Sequence, residues 1–412
     1  MHILLVADGR SPITRRWVRA TVALQHRVTL VSTFPCGEVE GVSDLHILPV
    51  AFAGLGGSQV GVAGASGASV SRQLVSRFRS AFLSARYLLG PLSLPFYARS
   101  FRRLVAESKP DLVHALRIPF EGMLASLTPP SIPLAVTIWG NDLTYHAVGS
   151  PWMKAYTLQT LRRANGLLAD AHRDIRLGQL WGFSPERPVL VVPGGAGIDL
   201  AEMHRLRSRF PESFADLLPA GVPMVVNPRG FRPGSVRTDV FFQAIPLVLE
   251  RKPKVFFVCT GMAGQPEALR WVQQLKLDGH IRLLPFLPQP QLWDLFVRAN
   301  IFVSVSAHDG TPNSFLEGIA CGCFPVVGDI ESLREWVTPG SNGFLVEPDK
   351  PQALADALVV ALDNPDMLAS AAEKNLQLIR QRAEAGMVRA QIEIFYQRLA
   401  AGTGAVSVTT TL

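Results

Sequence analysis

Residues 304–322 of this 412-residue chain read SVSAHDGTPNSFLEGIACG, and their order constrains the rest of the fold. Ile301 to Val305 is a short β-branched apolar run with polar residues on either side, which predicts a core strand. A polar loop follows. Thr311 suits the N-cap of a helix and Pro312 its first position. Phe315, Leu316, Ile319 and Ala320 then recur at helical spacing, and Gly322 suits the place just past the helix end. A strand that runs through a short loop into a helix is the unit of a parallel α/β sheet. The start of such a helix offers free N–H groups and a positive dipole end, and so attracts anions. Asp309 in the loop and Glu317 in the helix bracket that start. Taken alone, the two also fit a loop acid and a solvated helix acid.

The surrounding words are more specific. SAHDGTPNSFLEGIACGCFPVV is followed by Glu335, by Asn342-Gly343-Phe344-Leu345-Val346 and by Pro348-Asp349. Together they resemble the retaining glycosyltransferases of the large family 4, which have the GT-B fold. The pattern in that family is E-x7-E, then A-x-G-x-P-V-V, then E-(V/I)-V-x(n)-N-G-x-L-V. Asp309 stands for the first Glu, with the same charge on an arm one methylene shorter, and one extra residue lies between Gly322 and Pro325. The resemblance implies that Asp309 contacts the donor sugar and that Glu317 bonds the ribose of the nucleotide. It also implies that Gly310, Thr311, Pro312, Asn313 and Ser314 line the donor site.

Working outward within the same half, Met224-Val225-Val226 predicts the opening strand of a second domain. Asn227-Pro228-Arg229-Gly230 is a loop, and Arg237-Thr238-Asp239 precedes the next helix. The family places an Arg and then a Lys at these two points to hold the donor diphosphate, so the resemblance implies that role for Arg229 and Arg237. An Arg fork suits a pyrophosphate as well as a Lys does. The alternative is a pair of solvated loop arginines. Residues 254–260 and 282–284 predict further strands, and the resemblance implies that Phe286 or Leu287, just past the second, forms part of the base pocket.

The first half also alternates β and α. His2 to Val6 and Arg27 to Val31 predict strands around a basic helix over 13–24, which implies a parallel sheet with right-handed crossovers. Gly9, in the first loop, is a candidate donor contact by resemblance, or a turn glycine that needs positive φ. Strands are expected at 111–114, 134–138, 167–170 and 189–192. Trp139-Gly140-Asn141-Asp142 resembles the family's H-G-x-D, with Trp139 where the histidine stands. Gly140 and Asp142 match and are candidate cleft residues. His114 and His146 each follow a strand and are candidates to approach the cleft, the alternative being satisfied structural histidines. Pro193-Gly194-Gly195-Ala196-Gly197-Ile198-Asp199 is similar to the family's P-N-G-(V/I)-D and leads to a hinge.

The expected architecture is therefore α/β, GT-B, with two Rossmann-like domains whose parallel sheets face a cleft. The first spans 1–204, rejoined by a C-terminal helix at about 380–399. A linker covers 204–221, the donor domain spans 222–379, and a small polar tail at 401–412 is expected to be flexible. One long helix is predicted over 367–399.

Composition narrows the function classes. Hydrophobic residues make up 48% and charged residues 18%, which is globular. No apolar run reaches the roughly 20 residues of a spanning helix, and MHILLVADGRSP reads as a first strand rather than a signal peptide. Four cysteines without a paired pattern fit buried thiols in a reducing cytoplasm. The net charge of +7 comes with no nucleic-acid-binding motif. It is concentrated in residues 70–103, where Arg72, Arg77, Arg79, Arg86, Arg99, Arg102 and Arg103 interleave with leucines and phenylalanines and no acid intervenes. That segment reads as an amphipathic contact to an anionic membrane surface, or as a helix with a core stripe and a solvated basic face. The chain shows no acid or histidine set spaced for a metal. The expected donor is a UDP- or GDP-sugar with no metal and no other cofactor. The expected acceptor is a glycan, lipid-linked or small-molecule hydroxyl, and the expected location is cytoplasmic or peripheral on the inner membrane face. The competing reading is a catalytically silent chain of the same fold, serving as a nucleotide-sugar sensor or partner subunit.

Overall fold

A computed structural model describes residues 1–51, 53, 86–207 and 218–402. The chain divides into two units, residues 1–196 with 387–412 and residues 197–386. Both are built on wholly parallel sheets.

In the first unit the strands are β1 (His2–Ala7), β2 (Arg27–Ser32), β3 (Asp44–Ile47), β4 (Leu112–Ala115), β5 (Leu134–Ile138), β6 (Gly166–Ala169) and β7 (Val189–Val191). Their order is β3-β2-β1-β4-β5-β6-β7. The chain starts in the middle, winds to one edge and returns to the other side of β1. Strands buried on both faces are mostly apolar, as in LLVA, LVHA and LAVTI. The edge strand β3 was not apparent from sequence, because most of its DLHI residues are exposed and carry no apolar run.

In the second unit β8 (Met224–Asn227), β9 (Phe256–Cys259), β10 (Ile281–Leu283), β11 (Ile301–Ser304), β12 (Phe324–Gly328) and β13 (Phe344–Val346) lie in the order β10-β9-β8-β11-β12-β13. Again the first strand is central and the winding reverses beside it. The reversal falls between β1 and β4 in one sheet and between β8 and β11 in the other. In doubly wound sheets the crevice outside the carboxyl ends at that reversal is where ligands bind.

The domain boundary differs from expectation. It lies at Ala196/Gly197, so residues 197–204 belong to the second unit. Both residues have left-handed backbone, φ 60° and 94°. A Cβ on Gly197 would stand 2.8 Å from the Ala385 backbone, so only glycine fits that bend. The single long terminal helix is two helices, Pro365–Arg382 and Ala385–Ala400, with the break beside Ile198, whose amide and carbonyl bond Ala383 and Ala385. The second of these helices belongs to the first unit from Met387 on and buries Val388, Ile392, Phe395, Tyr396 and Leu399 against β1 and the helix Pro12–Ala23. Most of the linker, the glycine-rich stretch at 51–67, the first half of the basic segment and the tail lie outside the described residues.

Candidate active site

The reversal between β8 and β11 gathers most of the donor residues expected from sequence. After β8 the chain turns through Pro228 and Arg229 to Gly230, with the Arg229 amide tied to Asn227 Oδ1 at 3.1 Å. The loop then runs against the end of β11: Val236 bridges Ser306, the Arg237 amide donates to Val305, and Ala307 N donates to Ser235 O. This brings the Arg229 side chain, 9% exposed, onto Asp309, with which it forms an ion pair. A second arm of the guanidinium reaches Ser314 Oγ at 3.4 Å. Its Nε is buried and has no hydrogen-bond partner among the described residues.

Asp309 is held from several sides. Its carboxylate accepts from Ser306 Oγ at 3.2 Å and the Gly310 amide at 3.1 Å, and its carbonyl accepts from Ser332 Oγ at 2.9 Å. Ser306 is pressed against Gly328, where a Cβ would lie 2.2 Å from the Ser306 carbonyl oxygen. The loop position thus depends on a glycine in the adjacent strand.

The helix runs from Asn313 to Ala320 with Pro312 in extended conformation at its N-cap and no side-chain cap. This corrects the expected cap. Thr311 is buried, and its hydroxyl accepts from Trp336 Nε1 at 3.0 Å. The N-cap proline offers no side-chain acceptor, and the Asn313 and Ser314 amides of the first turn have no intrahelical acceptor and a positive dipole end behind them. Glu317, one turn in, is buried and accepts from Gln289 Nε2 at 2.9 Å. Gln289 opens the helix after β10 and had no signal in the sequence.

The second guanidinium beside Arg229 is Arg232, not Arg237. Arg237 is pinned by Asp239 two residues on, Nε to Oδ1 at 3.0 Å and NH2 to Oδ2 at 2.8 Å, which raises its pKa. Arg232 donates from Nε to the Arg229 carbonyl at 3.2 Å. It keeps a solvent-open side while protein crowds its guanidinium. The positive charge of Arg229 first, then lost hydration, pull its pKa down to about 10. Phe286 is largely exposed, and its ring lies over Gly261, where a Cβ would stand 2.8 Å away, and beside Gly230. An aromatic face next to the arginine loop is a place for a flat base. Leu287 instead packs its side chain on the core of this unit.

The first unit treats its expected residues differently. Gly9 is buried and its amide donates to Ser32 Oγ at 3.0 Å. Its φ is not in the left-handed region, and it is small because a Cβ would meet Cys36 Sγ at 2.5 Å. His114 is a core residue rather than a cleft residue. Trp17 Nε1 donates to Tyr396 Oη at 2.9 Å, Tyr396 Oη pairs with His114 Nδ1 at 2.7 Å, and His114 Nε2 pairs with Thr137 Oγ1 at 2.8 Å. Burial pulls the His114 pKa to about 3. Gly140 is buried, its carbonyl taken by Arg173 NH2 at 2.7 Å. Asp142 is fully buried and accepts from Arg117 NH2 at 2.8 Å, Ile118 N at 3.1 Å and Trp139 N at 3.2 Å. It positions Arg117 and Trp139 rather than facing a ligand. His146 pairs its Nδ1 with Tyr87 Oη, and burial pulls it to about 4.

Known proteins share the family and the fold. The family described as glycosyl transferase 4-like domain matches residues 8–195, and that described as glycosyl transferases group 1 matches residues 224–364. Among curated relatives, D-inositol 3-phosphate glycosyltransferase of Thermobispora bispora is 29% identical over 32% of this chain and 33% of its own length. GDP-mannose:cellobiosyl-diphosphopolyprenol alpha-mannosyltransferase of Xanthomonas campestris is 24% identical over 60% of this chain and 63% of its own. The alignments thus span less than two thirds of either relative. Among solved structures, a glycosyltransferase of Rickettsia africae superposes with a TM-score of 0.69 at 14% identity, covering 98% of this chain and 99% of that one. HepE of Anabaena, solved with UDP-glucose, superposes with a TM-score of 0.66 at 15% identity over 96% and 99%. Two parallel doubly wound sheets, both family matches and these superpositions assign the GT-B fold, and the chain belongs to the family 4 type of glycosyltransferases.

Proposed function

We propose that this chain is a retaining hexosyltransferase that moves a sugar from a nucleoside diphosphate sugar to an acceptor hydroxyl without a metal ion. The observation that carries the reading is the Arg229–Asp309 pair at the β8/β11 reversal, beside the uncapped start of the helix Asn313–Ala320. As the bond from sugar to diphosphate breaks, negative charge grows on the leaving phosphate. Arg229, Arg232 and the Asn313 and Ser314 amides are fixed where that charge develops, which is the arrangement that lowers a barrier most. Glu317 takes the ribose hydroxyls, Asp309 orients the sugar, and Phe286 covers the base. The leaving phosphate oxygen accepts the acceptor's proton on the face it vacates, so the configuration is retained.

UDP and GDP are the leading donors. The names of the Xanthomonas relative and of the Anabaena complex carry one each. No helix of the described residues is long and apolar enough to cross a membrane. Leu88, Leu89, Leu92 and Phe96 are nonetheless exposed ahead of exposed Arg99, Arg102 and Arg103, which supports peripheral attachment to an anionic leaflet on the cytoplasmic side.

A silent nucleotide-sugar sensor is the second reading. It is favoured by Trp139 in place of the family's histidine. A thermal-shift series with UDP-, GDP-, ADP- and TDP-sugars tests donor binding. The true donor raises the melting temperature and the others do not. No shift with any of them contradicts both readings, and a shift without sugar transfer selects the sensor.

A further inference from the structure

The reversal between β1 and β4 holds a second charged constellation that the donor reading does not use. Three guanidinium groups meet there from separate parts of the chain. Arg10 follows β1, Arg86 precedes Gly90, and Arg117 follows β4. Two of them are answered. Arg10 makes a bidentate pair with Asp8, both contacts at 3.0 Å, and Arg117 pairs with buried Asp142 at 2.8 Å. Arg86 has no ion pair and no hydrogen bond among the described residues, and its Nε is buried without a partner, as is that of Arg117.

Aromatic rings hold Arg86 instead. Its guanidinium lies 5.1 Å from the centre of the Phe34 ring and 4.8 Å from that of Phe120, and Arg10 lies 3.9 Å from the Phe34 ring. Ring faces place a cation without neutralising it. Burial first, then the charge of Arg117, lower the Arg86 pKa, while Glu121 raises it. Glu121 is itself buried, and burial pushes its carboxyl well above the usual range while Arg117 pulls it down. The backbone is strained at the same place: Phe120 has φ 64°, and its ring fits only because residue 90 is glycine, where a Cβ would stand 2.8 Å away. A half-buried guanidinium among like charges, held open by rings, is incomplete without an anion.

We propose that Arg86, with Arg10 and Arg117, binds a phosphate ester group carried by the acceptor. Arg10 and Arg86 share the Phe34 ring, and guanidinium forks suit a group with three oxygens better than a carboxylate with two. Arg86 and Tyr87 lead directly into the exposed Leu88, Leu89, Leu92 and Phe96, and the turn with exposed Val148 and Trp152 abuts Tyr87 through the Ser150 Oγ to Tyr87 carbonyl bond of 2.7 Å. A phosphate on a lipid carrier and a phosphate on a soluble polyol share the chemistry. Calling the ligand an acceptor rests on the transfer reading above; the anion site itself does not.

The test uses the whole chain, with and without saturating UDP or GDP. Calorimetric titration measures binding of inositol 1-phosphate against free inositol. Flotation measures binding to phosphatidylcholine vesicles with and without a polyprenyl phosphate. Wild type is expected to bind at least one phosphate monoester probe and neither control, free inositol or vesicles whose only phosphate is the zwitterionic diester of phosphatidylcholine. Arg86→Met is expected to weaken that binding about tenfold or more, and Arg86→Lys by less, with the thermal midpoint and nucleotide affinity unchanged. The probe that binds more tightly names the source as soluble or lipid-borne. A wild type that binds neither probe, or a folded R86M chain that binds as tightly as wild type, overturns the proposal. Phosphate binding that depends on Arg86 in a chain that binds no nucleotide would refute the transfer reading and leave this site standing.

Discussion

The two sheet reversals have the same topology and opposite electrostatic designs. At β8/β11 the main cation is already paired: Arg229 closes on Asp309, and the helix start beside them comes from the next few residues of the chain. At β1/β4 one cation, Arg86, is left to aromatic rings, and its neighbours arrive from residues 10, 34, 117 and 120. The first crevice is built mainly from two short stretches, around Arg229 and from Ser306 to Glu317, and the second from single residues spread along the chain. A short motif can announce one kind of site and not the other.

The sharpest way to break the comparison is to remove the paired cation. Arg229→Ala or Glu317→Ala is expected to lower sugar transfer by about two orders of magnitude or more, the scale of a lost charge-assisted contact in a buried site. A loss below about tenfold for both, measured as kcat/KM, would show that the β8/β11 crevice is not the donor site.

The first unit should also be the acid-labile one through His114. Its folded pKa is lowered to about 3, whereas the unfolded ring titrates near 6.5. The unfolded state therefore takes up the proton first as pH falls. The contribution is full above pH 6.5 and declines below it by about 1.4 kcal/mol per unit, or about 2 kcal/mol by pH 5. Denaturant unfolding at several pH values reads this, and His114→Gln should flatten the slope whatever it does to absolute stability.

A smaller effect separates two arginines. Arg232→Met is expected to reduce kcat/KM about tenfold and Arg237→Met by less than about threefold, because Asp239 already holds Arg237 away as a local pair. The reverse order would restore Arg237 as the second phosphate ligand. Smallest is Gly9→Ala, expected to cost about 1 kcal/mol in stability. Its Cβ meets the movable end of Cys36. A cost as large as that of Gly328→Ala, whose Cβ meets backbone, would show the first loop to be as rigid as the second.

The same contrast explains what the sequence revealed. Strand periodicity located the buried strands to within a residue or two, because parallel core strands are apolar on both faces. It missed β3, an edge strand with exposed residues. Arg229, Asp309 and Glu317 were legible because loop, N-cap and helix are local. Arg237 was chosen on position along the chain, but Asp239 captures it first, and Arg232 gains its place by folding back on Arg229. His114 looked like a strand-end ligand because nothing in the sequence marks Tyr396 as its partner 282 positions away. Arg117 and Glu121 have one clue in the sequence, charges inside the otherwise apolar stretch LRIPFEG.

The return of the helix Ala385–Ala400 to the first unit bears on how the chain is made. Synthesis proceeds from the amino terminus, and domains tend to fold as they emerge. Residues 197–386 are contiguous, so that unit is complete as soon as Gly386 leaves the ribosome. The amino-terminal unit leaves first yet must wait for Tyr396 and Leu399 before Trp17 and His114 are covered. The half that is translated earliest is therefore the half that finishes last, and a nascent chain stalled before residue 396 would expose its oldest segment to chaperones.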